Sequence, residues 1–119
     1  MKKEELIERC INFSIKINKL RKCLREEQHE YNNSDQLQRI CTSISANYCE
    51  ACNAVSKADF INKLAITQKE AYETIYWLKV LYGSELIPKD KYEELVGEAE
   101  ALHKILSTSI TTNKENENK

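Results

Sequence analysis

From Gln38 to Leu78 the chain contains neither glycine nor proline, and so long a stretch without either turn-forming residue predicts helices. Two apolar rows divide it at Ser56. Before it, Leu37, Ile40, Cys41, Ile44, Tyr48, Ala51 and Val55 recur at steps of three and four, the spacing that gathers side chains on one helical face. After it, Phe60, Leu64, Ala71, Ile75, Leu78 and Leu81 continue the rhythm, with a polar gap at Thr67 and Gln68. Between the rows, Ser56-Lys57-Ala58-Asp59 fits a capping box, in which a serine hydroxyl and a carboxylate three residues on satisfy free backbone N–H groups. A helix therefore starts near Lys57, and the short connection makes the two helices antiparallel neighbours.

The flanks extend the pattern to four helices. Leu6, Cys10, Phe13, Ile17, Leu20 and Leu24 form a heptad seam that predicts a first helix from about Lys3 to Glu30. A polar break, Tyr31 to Asp35, follows, with Ser34 or Asn33 as the expected N-cap of the second helix. Gly83 is the expected left-handed terminator of the third helix, ending it at Tyr82, and Pro88 suits the first turn of the fourth. Tyr92, Leu95, Val96, Ala99, Leu102, Leu106 and Ile110 give that helix its apolar row. The fold class expected is all-α, an antiparallel up-down-up-down four-helix bundle over residues 1–111, with 112–119 as a disordered polar tail. Ser43, Ala46 and Asn47 mark a face of small side chains where a neighbouring backbone can approach closely, within the bundle or between subunits.

A chain of 119 residues suffices for one such core and not for two domains. With 31% charged and 41% hydrophobic residues and a net charge of −1, it has the balance of a globular protein rather than one coated in nucleic acid or anionic lipid. No apolar run reaches the roughly 20 residues that a membrane span needs, and acids stand where a signal peptide would be apolar. A cytoplasmic location is expected. The five cysteines, at positions 10, 23, 41, 49 and 52, are then reduced thiols, most of them on or beside apolar rows.

Arg39, Thr42-Ser43-Ile44, Ala46-Asn47-Tyr48, Ser56-Lys57-Ala58-Asp59-Phe60-Ile61, Glu70-Ala71, Glu73 and Trp77-Leu78 together resemble the small four-helix-bundle proteins encoded within intervening sequences of bacterial 23S ribosomal RNA genes. The resemblance spans about residues 6 to 110, and its central motif is the specific part. Many members carry Asn-x-x-Glu-Gly in the second helix; here Asn47 and Glu50 stand but Ala51 replaces the Gly, which suggests a separate branch. The resemblance implies a homo-oligomer, commonly a pentamer, and no established catalytic residues. A related group accompanies the reverse transcriptase of diversity-generating retroelements as a basic, nucleic-acid-binding accessory.

Individual residues support no chemistry of their own. Cys49-Glu50-Ala51-Cys52 is a CxxC, but no second such pair or paired histidines complete a zinc site, and a mid-helix position does not activate a thiol. His29 and His103 are isolated from any nucleophile or carboxylate by spacing, and the Glu-x-x-His of metal-binding bundles does not occur. No catalytic, cofactor or metal site is expected. Arg39, Asn47, Glu70 and Glu73 are the polar residues nearest the hairpin rows. With the turn at 56–57, position i faces roughly 113 − i, so Arg39 is expected to pair with Glu73 or Glu70 and set the register.

Lys16, Lys19, Arg21, Lys22 and Arg25 are five basic residues in ten positions with no acid among them, the strongest nucleic-acid signal in the chain. Residues 1–31 carry eight basic and six acidic groups, and residues 84–111 three and six, so solvated faces of opposite sign that attract within or between subunits are the favoured reading of the cluster. No aromatic interleaves it to stack on bases. Ile11, Ile15, Ile61, Ile66, Tyr76 and Val80 lie off the main rows and leave apolar surface for contact between subunits. The expected function is that of a non-enzymatic oligomeric scaffold or adaptor, with a weak nucleic-acid-binding partner of a reverse transcriptase as the alternative.

Overall fold

Leu6, Cys10, Phe13, Ile17, Leu20 and Leu24 are all buried in the computed structural model, on one stripe of a helix from Lys3 to Gln28, α1. The structure describes residues 1–117. Three more helices follow: α2 (Asn32–Cys52), α3 (Lys57–Gly83) and α4 (Lys89–Glu117). Each contributes one apolar stripe to a single core, and together they form an all-α four-helix bundle measuring 52 × 21 × 21 Å. Cross-helix contacts run in opposite directions along each adjacent pair: Ser14 to Ser45 and Arg21 to Asp35, Asn47 to Glu70 and Glu50 to Lys63, Gln68 to Ser107 and Lys57 to Asn113, Arg9 to Glu98 and Lys16 to Glu94. The helices therefore alternate up and down.

The closest packing follows chain order, α1 on α2, α2 on α3 and α3 on α4, whereas α1 and α4 approach least closely of the adjacent pairs. Small groups explain the first contact. The Ser14 hydroxyl, buried on α1, donates to the Cys41 carbonyl at 3.1 Å and lies 3.1 Å from the Ser45 hydroxyl. The α1–α4 seam is instead spanned by long side chains. The Arg9 guanidinium is bidentate to Glu98, its Nη2 2.6 Å from Oε1, and Lys16 lies 3.5 Å from Glu94.

The core differs from the apolar rows in informative places. Val55 is 94% exposed because α2 has already ended at Cys52. The polar gap on α3 is filled by Thr67, fully buried with its hydroxyl donating to the Lys63 carbonyl, and Thr74 does the same to Glu70. A threonine that returns its hydroxyl to its own helix presents a methyl to the core, so it packs there although the row reads as a polar gap.

The ends of the helices carry most of the corrections. Ser56 caps α3 as expected, its Oγ accepting from the Asp59 N–H at 3.1 Å, while the Asp59 carboxylate accepts from the Val55 N–H at 3.3 Å. At α2, neither Ser34 nor Asn33 is the cap. Glu30 reaches across instead, its carboxylate accepting from the N–H groups of both Asn33 and Ser34, and Ser34 turns its hydroxyl inward to the carbonyls of Glu30 and Tyr31. An acid serves well there because it can satisfy two of the orphan donors of the first turn at once. His29, with φ 53°, closes α1 in the left-handed conformation.

Gly83 is helical and has no positive φ; the left-handed residue is Glu85, at φ 62°. The Leu86 N–H donates to the Leu81 carbonyl and the Glu85 N–H to the Tyr82 carbonyl, both at 3.0 Å, which is the paired closure of a Schellman motif. That motif places an apolar residue just past the turn against one in the last helical turn. Leu86 packs onto the core, and this closure, not the glycine, locates the end of the helix. The expected tail differs as well. α4 continues to Glu117, helped by Thr111 donating to the Ser107 carbonyl, Asn113 to the Ser109 carbonyl and Lys57 to Asn113 Oδ1. Residues 118–119 of that tail lie outside the described residues.

Candidate functional site

The polar group expected at the hairpin assembles without its arginine. Asn47 on α2 donates from Nδ2 to Glu70 Oε1 on α3 at 2.6 Å, and the hydroxyl of Ser43, one turn earlier, favours the charged Glu70 carboxylate. Glu73 lies half-buried one turn along α3, and its charge acts on Glu70. Arg39 does not pair with either glutamate. It is exposed on α2 and donates to the Gln36 side chain one turn back. The physical reason is register: α2 and α3 pair Asn47 with Glu70, so amide and hydroxyl donors occupy the place at the carboxylate, and the long Arg39 side chain is better solvated outside.

Burial raises the Glu70 carboxyl above its ordinary value, while the bonds from Ser43 and Asn47 lower it and the charge of Glu73 raises it again. A carboxyl held more tightly protonated when folded than when unfolded opposes folding as it ionises. Its penalty is absent below the unfolded value and grows as pH rises toward the folded one. Glu70→Gln keeps an acceptor for Asn47 and removes the charge, so it is expected to raise urea-melt stability at neutral pH. Below the ordinary glutamate range the variant and parent are expected to converge; an equal difference at both pH values would show that burial of charge is not its origin.

The basic cluster on α1 is largely neutralised within the chain. Arg21 and Arg25 both bind Asp35 at the start of α2, at 2.7 and 3.1 Å, and hold its carboxyl below the usual range. Arg25 also lies over the Tyr31 ring, 4.8 Å from its centre. Lys16 pairs with Glu94 across the α1–α4 seam. Lys19 and Lys22 stay exposed with no ion pair among the described residues. Of the five, Lys16 alone engages the acidic 84–111 segment, through Glu94, whereas Arg21 and Arg25 are neutralised by Asp35 of α2.

The cysteines separate into two kinds. Cys10 and Cys41 are buried at the α1–α2 contact, and burial pushes each thiol up to about 12, which leaves almost no thiolate at neutral pH. Cys49 is exposed on α2, and Cys52 is half-buried beside Tyr48. All five are free thiols.

What the surface does present is apolar. On α1, Ile11 and Ile15 are 42% and 45% exposed; on α3, Ile66, Tyr72 and Tyr76 are 48%, 64% and 56% exposed. Two residues of the expected set behave otherwise, since Ile61 is part of the core and Val80 is half-buried. Tyr72 was not foreseen; its four-residue spacing from Tyr76 is the signal that could have found it. The backbones of α1 and α3 stay apart while α2 and α4 pack between them, so the two helices stand diagonally in the bundle and carry separate stripes. Among the described residues, no helix is long and apolar enough to cross a membrane.

The family described as 23S rRNA-intervening sequence protein matches residues 2–108. Among solved structures, the chain is similar to a protein with unknown function from the S23 ribosomal protein family of Bacteroides thetaiotaomicron. The two are 41% identical, with a TM-score of 0.90, over 93% of this chain and 99% of that one. No curated protein matches the chain.

Proposed function

We propose, for a chain that belongs to the 23S rRNA-intervening sequence protein family, a role as a non-enzymatic cytoplasmic scaffold or adaptor that acts as a closed homo-oligomeric ring. The observation that carries this is the pair of exposed apolar stripes on diagonal helices, Ile11 and Ile15 on α1 and Tyr72 and Tyr76 on α3. A single patch meeting itself builds a two-fold dimer, whereas two different patches join head to tail and close into rings. The family resemblance favours five copies. Assembly presents repeated copies of the remaining surface to a partner, a reverse transcriptase being one candidate. The alternative as a nucleic-acid-binding accessory rests on Lys19 and Lys22, since the other three basic residues of the cluster are engaged.

Light scattering is expected to give a mass several times the 13.9 kDa of one chain. Ile11→Glu/Ile15→Glu and Tyr72→Glu/Tyr76→Glu should each yield monomers. Mixed together, the two variants should form one-to-one heterodimers, because each retains the stripe that the other has lost. A monomeric parent at high concentration would refute the reading, and a two-fold dimer broken by only one of the double variants would refute the ring.

A further inference from the structure

At the end of the bundle where α1 starts and α4 finishes, the loose α1–α4 seam opens into a cleft of about 850 Å³. Its floor is apolar, made by Leu6, Tyr48, Phe60 and Ile105. Lys3, Lys57 and Lys104 line it together, and among the described residues no aspartate or glutamate does. None of these three lysines forms an ion pair in the described structure, although the sides of the bundle pair Lys16, Arg21, Arg25 and Lys63 with acids. Lys3 lies over the Phe60 ring, 5.0 Å from its centre, and Lys57 donates to the neutral amide oxygen of Asn113 at 3.0 Å. The starts of α1 and α3 and the ends of α2 and α4 share this end of the bundle, so their helix dipoles largely offset, and the three lysines are the charged side chains that line the cleft itself.

We infer that this cleft binds a small amphiphile with an apolar body and one carboxylate, the body seated on Leu6, Tyr48, Phe60 and Ile105 and the carboxylate among Lys3, Lys57 and Lys104. An open cleft of this size falls in the range of small-molecule sites, which combine apolar walls with a few placed polar groups. Cations gathered around apolar surface without a counter-charge select an anion over a neutral molecule of the same shape. An alkyl carboxylate meets both conditions, since its chain replaces water on the floor while its head supplies the missing charge.

The probe is decanoate below its micelle concentration, compared with decanol and decylammonium by calorimetric titration of the full chain. Cys52 lines the same cleft, so its alkylation by iodoacetamide, located by mass spectrometry, reports occupancy in the unaltered protein. Decanoate is expected to bind about tenfold more tightly than decanol, on the scale of two to three exposed charge contacts, and to slow alkylation at Cys52 but not at the exposed Cys23. Lys57→Glu/Lys104→Glu, both surface changes, is expected to abolish the preference for decanoate while helicity is retained. Equal binding of decanoate and decanol, no binding of decanoate, or binding that leaves Cys52 unprotected would each overturn the proposal.

Discussion

Phe13→Ala is expected to destabilise the fold by about 3–5 kcal/mol, the usual range for removing a buried aromatic ring. Phe13 is 1% exposed and lies midway along the α1 stripe, between Cys10 and Ile17. Its neighbours offer little to fill the space. The α1–α2 contact is already drawn close by Ser14, Cys41 and Ser45, whose hydrogen bonds fix the two backbones and resist collapse into a cavity. Urea melts of parent and variant measure the difference. A loss below about 1.5 kcal/mol, the scale of a tolerated change in apolar shape, would show that α1 relaxes onto its neighbours freely and that the packing described for it is wrong.

The second large effect is expected at the α1–α4 seam. Arg9→Met removes the bidentate partner of Glu98, whose side chain is 25% exposed against 33% for Arg9. Fully exposed pairs contribute under about 1 kcal/mol, whereas stranding one partner of a buried pair costs about 3–5 kcal/mol; an intermediate burial places this change at about 1–3 kcal/mol. The double change Arg9→Met/Glu98→Leu leaves no charge without a partner, so it is expected to be more stable than Arg9→Met alone. A double-mutant cycle read by denaturant melts decides the matter. If the two changes simply add, the pair contributes nothing and apolar contact alone joins α1 to α4.

The helix stripes were legible in the sequence because burial on a helix obeys a strict spacing, and every member of the α1 row from Leu6 to Leu24 is buried where that spacing put it. What was not legible depends on where one helix sits against another. Arg39 and Glu73 were matched by counting back from the turn, but the register pairs Asn47 with Glu70, and an arginine on the wrong side of its helix finds solvent. Gly83 carried the usual mark of a helix end, and the paired backbone bonds from Glu85 and Leu86 overrode it by moving closure to Glu85. Glu30 gave no sign of being a cap, since it acts on donors three and four residues further on from outside the helix. The polar residues after Thr111 lack an apolar stripe, yet small polar side chains bonding back to the preceding turn carry α4 to Glu117. The cleft is composite: its lysines come from α1, α3 and α4, and nothing in their separate neighbourhoods links them.

The order of packing in the bundle has an entropic side. α1, α2, α3 and α4 each pack most closely on the helix next to them in the chain, across connections of only a few residues. Bringing such neighbours together restricts the unfolded chain little, because the cost of closing a loop grows only with the logarithm of its length but begins small when the loop is short. The α1–α4 seam alone joins segments separated by nearly the whole chain, as Arg9 and Glu98 are. It therefore carries the largest closure cost of any contact in the molecule while having the least close backbone packing to offset it, and this makes the seam the place where the bundle is thermodynamically easiest to open.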